Sequence, residues 1–174
     1  MRHWWVNQNQ TYAHEVGGGF LWSPKVNKNG ARNQFYDNMR EVLPGDVVFS
    51  FCDTLIKAVG VAQGNAKSAG KPTAFGHAGA NWGDEGWLVP VKFTELKSPI
   101  RPKDHIDVLA PTLPQKYSPL RSNGDGLQSV YLAKCQTGWQ LFCSRFWAAK
   151  SMRFFARVRL LAPRSRLMTL PRKR

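Results

Sequence analysis

Between Trp22 and Phe51 the chain reads WSPKVNKNGARNQFYDNMREVLPGDVVFSF, and it gathers an indole (Trp22), two guanidinium groups (Arg32, Arg40), an amide (Asn33) and a phenol (Tyr36). Aromatic faces stack flat rings, while amides and guanidinium groups bond to ring edges. This set suits a flat, hydrogen-bonding ligand. Hydrolytic chemistry has less behind it. A metal-dependent nuclease needs clustered His, Asp and Glu to hold the ion and activate water, whereas His3, His14, His77 and His105 are scattered and Asp84-Glu85 is a lone acidic pair. The sequence has no GxSxG, no P-loop and no cysteine beside an obvious base. No catalytic residue, metal or cofactor is expected.

These side chains need a frame. Asn29-Gly30 marks a turn, after which Ala31, Phe35, Met39 and Val42 recur at helical spacing, predicting a helix over 31–42 with Arg32, Asn33, Tyr36 and Arg40 on its other face. Pro44-Gly45-Asp46 stops it, and Val47–Phe51 is β-branched and aromatic as buried strands are. Asp53-Thr54 then turns the chain into an antiparallel partner over 56–63.

Upstream, residues 2–7 alternate as a strand, with Trp4 and Val6 facing the core and His3, Trp5 and Asn7 facing a site, the alternative being that both tryptophans are core. Gly17-Gly18-Gly19 permits a sharp turn before Phe20-Leu21-Trp22, which reads as a loop. Downstream, 65–86 is a long loop carrying Phe75, His77 and Trp82, a length usually either functional or disordered, and Trp82 argues against disorder. Residues 87–96 form a strand with Trp87, Val89, Val91 and Phe93 on its core face and Pro90 at an edge or bulge, and a last strand covers 128–133. The order describes an α+β fold, a small mixed β-barrel with one or two helices packed on it.

With 174 residues the chain holds one sizeable core. Its net charge of +14 is unevenly spread: from Lys134 onward there are 11 Lys+Arg and no acid, so residues 1–133 are only about +3. A phosphate-binding surface on the body must therefore be a local patch. Cys52, Cys135 and Cys143 form no CxxC pair, which fits a reduced, cytoplasmic setting, and neither a signal core nor a membrane-spanning run is present in this sequence.

The segments HWWVNQNQ, LWSPK, GARNQFYDNMREVLPGDVVFSF, AVGVAQG and WLVPVKF closely resemble the EVE domain of the PUA-like superfamily, akin to the YTH readers of methylated adenine. With RPKDHIDVLAPTLPQKYSPLRSNGDG, the wording is most similar to the module at the N-terminus of modification-dependent HNH restriction endonucleases. The resemblance covers about residues 1–134. It implies a PUA-like barrel over 1–133 that reads modified double-stranded DNA, flipping a methylated or hydroxymethylated cytosine into an aromatic cage. It also implies the cage: Trp22 as one wall, Trp82 as the opposite wall, Asn7 at a strand end facing the pocket, Phe49 and Ser50 on its floor, and Tyr36 beside it. Lys25, Lys28, Arg32 and Asn33 would meet the nucleic-acid backbone. On this reading Trp22 is accessible and Trp87 is core. An RNA or tRNA module holding a methylated or unstacked base is the rival, since PUA-like barrels often bind RNA.

Residues 134–174 depart from that family. Their lack of any acid and scatter of Arg, Ser, Trp and Cys resemble out-of-frame translation, the alternative being a basic amphipathic helix over 144–161 that contacts phosphates or a membrane surface. Translating the DNA beyond the Lys134 codon in the other two frames is expected to show an HNH motif, and its absence from both would remove the frameshift reading.

Overall fold

The structure, a computed structural model, describes residues 1–127 and 130–136. Its strands are β1 (His3–Asn7), β2 (Phe20–Pro24), β3 (Val47–Cys52), β4 (Leu55–Ala62), β5 (Lys67–Gly70), β6 (Glu85–Ile100) and β7 (Leu132–Lys134). They form one curled sheet in the order β2-β6-β4-β3-β1-β7, with β5 also paired to β6. β1 and β3 are parallel and every other pairing is antiparallel, so the sheet is mixed. The short helices α1 (Tyr12–Gly18), α2 (Gln34–Asp37) and α3 (Ile106–Leu109) complete an α+β half-barrel. The expected fold class holds, with three helices among the described residues in place of one or two.

Several local expectations are corrected. The helix over 31–42 is α2 followed by a 3-10 segment (Asn38–Glu41), because Asn33 caps the first turn by accepting from the Phe35 N–H and the second tightens. Met39 and Val42 are buried as the spacing implied, while Ala31 is exposed. α1 was not legible as a helix. Gly19 ends it in the left-handed conformation at φ 72°, and the chain reverses directly into β2. Thus Trp22 lies in a strand and not in a loop. The final strand is β7, and residues 128–129 and the tail from 137 lie outside the described residues.

Pro90 has a positional explanation. Its carbonyl accepts from the Gln63 N–H at 2.8 Å, at the point where β6 exchanges β5 for β4 as its neighbour, so the missing N–H faces a break in the ladder.

The sheet is buried on both faces near its middle. Trp4, Val6, Leu21, Val48, Val89 and Val91 fill the concave side with Met39 and Val42. Trp5, Phe49, Phe51 and Val59 face the other way, covered by Leu109 and Leu120 from the irregular segment after β6. Alternation puts Trp4 and Trp5 in different cores, and both have no exposed surface.

A buried carboxylate ties these parts together. Glu15 of α1 is fully buried and accepts from Gln8 Nε2 (2.7 Å), Thr11 Oγ1 (2.6 Å), the Trp22 backbone N–H (2.7 Å) and the Tyr131 hydroxyl. The Ser50 hydroxyl continues the chain by donating to Gln8 Oε1. Burial pushes Glu15 up from 4.5 to about 7, the four donors pulling the other way without cancelling it. A folded-state value above the unfolded one means that this group's stabilisation is full below about pH 4.5 and is lost as pH rises through 7, on the order of 3 kcal/mol. Glu15→Gln, which does not titrate, is expected to flatten the stability profile between pH 5 and 8. It should also destabilise at pH 5 by ~1–3 kcal/mol, because its NH2 would face donors. Urea midpoints across that range are the measurement, and an unaltered slope in the variant would remove Glu15 as its source.

Candidate nucleic-acid interface

Phe20 and Trp22 project from the convex face of β2, their neighbour Leu21 being in the concave core. The segment between β5 and β6 folds over them. Phe75 lies across Trp22 with centroids 5.8 Å apart and planes at 83°, and stacks on Phe20 at 6.1 Å. Trp82 faces Trp22 at 6.1 Å with a tilt of 32° and meets Phe75 edge-on at 6.2 Å. His14 of α1 adds a ring 5.8 Å from Phe75. Four aromatic residues from β2 and the covering segment thus form a box.

The two walls differ in how firmly they are held. Trp22 is 0% exposed, its Nε1 donates to the Ala69 carbonyl at 3.3 Å, and its backbone N–H is shared between Glu15 and the Tyr131 hydroxyl. Gly86 is pressed against it, since a Cβ there would come within 2.3 Å of the indole and 2.4 Å of the Ser23 carbonyl. Trp82 is only half-buried and sits on an irregular segment tethered by Lys71 Nζ to the Gly79 carbonyl (2.7 Å) and by the Gly79 N–H to Gln10 Oε1 (3.2 Å). Gly79 takes φ +63° directly beneath the Trp82 ring, a place for glycine on both counts.

Of the residues singled out from sequence, the structure brings Trp22 and Trp82 together. Ser50 is buried on the concave side and reaches the Trp22 backbone only through Gln8 and Glu15. Phe49 and Asn7 have other partners: Phe49 is buried and stacked on His3 at 6.1 Å, and Asn7 Nδ2 donates to the Leu127 carbonyl at 3.1 Å. Tyr36 packs edge-on against Tyr131 at 6.5 Å, and burial raises its hydroxyl above the ordinary value. Asn33 serves as the α2 cap and Arg32 pairs with Asp37 at 2.9 Å. Lys25 pairs with Glu85 at 3.0 Å and Lys28 is exposed.

Phe20, Phe75, His14 and Glu15 were missed. Phe75 belongs to an aperiodic segment, and Glu15 sits in a helix of 7 residues, too short for a period to appear. Trp87 also differs from expectation. It is half-buried at the margin of the concave core, with Lys25 Nζ 5.0 Å and the Arg40 guanidinium 5.3 Å from its ring centre.

No protein-family model matches the chain, and no curated protein does. Solved structures match in fold. The Pho92 YTH domain in complex with m6A superposes with a TM-score of 0.52, 9% identity, and coverage of 87% of this chain and 86% of that one. Rpa0253 from Rhodopseudomonas palustris gives 0.50 at 18% identity, covering 83% and 92%. A Pseudomonas putida protein gives 0.50 at 12%, covering 82% and 97%. At these identities the likeness is one of fold, that of the small PUA-like barrel.

Burial reverses the expected roles of two tryptophans in stability. Trp22→Ala is expected to cost ~3–5 kcal/mol, as truncation of a fully buried indole does, and Trp87→Ala less because its ring is partly in solvent already. Paired denaturant titrations check this, and a larger loss at Trp87 would overturn the assignment.

Proposed function

We propose that the domain over 1–133 is a non-catalytic reader of a modified nucleobase, and that the slot between Trp22 and Trp82 receives the base. The observation that carries this reading is the facing indole pair itself, closed at the edge by Phe75. It stands on a fold shared with a YTH domain whose structure holds m6A. A ring sandwiched between two others needs roughly 7 Å between the outer planes, twice the ordinary contact distance. The indole centroids are 6.1 Å apart, so the slot is closed and must widen by about 1 Å. Trp22 is fixed by its network and Trp82 is the wall that moves. A base drawn from a duplex costs a few kcal/mol of unstacking, which stacking on two indoles offsets.

The resemblance in wording to the reader modules of modification-dependent endonucleases favours methylated or hydroxymethylated cytosine in duplex DNA. The m6A-bound neighbour favours methylated adenine in RNA as the second reading. Asn7, Phe49, Ser50 and Tyr36 take on a supporting role here: they hold the strands and the cores of the sheet to which β2 belongs, without lining the slot.

Titrating the full chain with duplexes bearing hydroxymethylated, methylated or unmodified cytosine, and with methylated and unmodified single-stranded RNA, separates these readings. The non-specific contribution of the basic tail cancels in each ratio. Discrimination for one modified duplex is the expected result, and Trp82→Ala should reduce it by ~1–3 kcal/mol, about 5- to 150-fold, the range for a lost stacking partner. Equal affinity for all five ligands would remove the proposal.

A further inference from the structure

Around Trp87 two cations meet on one ring. Lys25, just past β2, and Arg40, in the 3-10 segment after α2, both lie within about 5 Å of the same indole centre, so their charges are at most about 10 Å apart. Among the described residues, one carboxylate pairs with them. Glu85 pairs with Lys25 at 3.0 Å, but its side chain is 80% exposed, and Arg40 has no ion-pair partner among the described residues. An exposed cation–π contact stabilises by ~0.5–1 kcal/mol and does not neutralise charge. The cluster therefore keeps a surplus positive charge at a place fixed by three separate elements.

The ring distances leave room for an anion between the two cations. Charge-assisted bonds to phosphate oxygens run at about 2.7–2.9 Å, so a phosphodiester held between two cations spans roughly 8 Å from charge to charge. The position matches too. Trp87 pairs with Ser23 and Leu88 with Trp22, which sets the cluster one residue along the β2–β6 ribbon from the slot and on its opposite face.

From this we infer that Lys25 and Arg40, braced on Trp87, form a phosphate clamp that holds the backbone of the polynucleotide whose base enters at Trp22. The inference rests on the nucleic-acid reading proposed above. Trp87 holds both long side chains against one ring and so reduces the rotamer freedom lost on binding. Glu85 is the mobile counter-ion that the phosphate displaces.

The test is the salt dependence of binding, measured with the full chain on unmodified duplex DNA and on single-stranded RNA. Each phosphate contact contributes about 0.9 to the slope of log K against log salt on duplex and about 0.7 on a single strand. The double variant Lys25→Gln/Arg40→Gln removes the one clamped phosphate and is expected to flatten the slope by about 0.9 on duplex, or about 0.7 on RNA if that is the bound form. Lys97→Gln/Lys116→Gln removes the same charge from exposed sites elsewhere and is expected to change it far less. Lys25→Arg/Arg40→Lys, which keeps both charges, should retain the slope. Equal flattening by both glutamine pairs, or none at Lys25 and Arg40, overturns the clamp while leaving base discrimination to be judged separately. Flattening at the clamp in a protein that ignores base modification would instead sustain the clamp and remove the reader. Failure to bind either polymer removes both.

Discussion

A carboxylate without exposed surface is tolerable only if its lone pairs are filled, and Glu15 fills them from four places: the end of β1, its own helix, the first half of β2 and the chain just before β7. Each oxygen takes two donors, Oε2 from Gln8 and Thr11 and Oε1 from Trp22 and Tyr131, so removing any one donor leaves an oxygen half-satisfied. The four positions are therefore mutually constraining. The Trp22 backbone N–H is among them, so the angle at which the indole leaves β2 is set by a group that never touches the ring.

The remaining polar burial follows the same logic at the opposite end of β1. Burial alone would raise Asp46, but hydrogen bonds from Trp4 Nε1 and from the backbone N–H groups of Arg2 and Leu43, together with the Arg2 charge, hold its carboxyl below the usual range. Arg2 in turn lies over the Trp4 ring at 5.3 Å. β1 is thus pinned at its start by Asp46 and at its end by Gln8 and Glu15. Between the pins it carries one tryptophan into each core, a strand that serves two hydrophobic layers at once.

What could be read from the residues was what is local and periodic. Val47–Cys52 announces itself by β-branched and aromatic runs, and Asp53 and Thr54 turn it into β4 with φ of 49° and 66°, the two positive values that a two-residue hairpin needs. The alternation at β1 was legible as well, though alternation alone does not say whether the second face meets solvent or another layer. Trp22 misled because four residues between a glycine run and a proline look like a loop, and only the pairing of β2 with β6 makes them a strand. The aromatic box depends on Phe75 and Trp82 arriving from an aperiodic segment, and the Glu15–Tyr131 contact joins residues 116 positions apart. No pattern within a window can carry contacts of that span.

The antiparallel pairing of β7 with β1 has a consequence for how the chain comes to be folded. β1 leaves the ribosome well before β7, so one of its edges stays open until residues 132–134 arrive, and the Glu15 network lacks the Tyr131 hydroxyl for the same interval. At ~5–20 residues per second the delay is several seconds. Through that time the nascent protein has a tryptophan-rich strand with an unpaired edge, the kind of surface on which chains join to one another or chaperones settle. Closure of the β1 edge therefore waits on a segment made long after β1 itself.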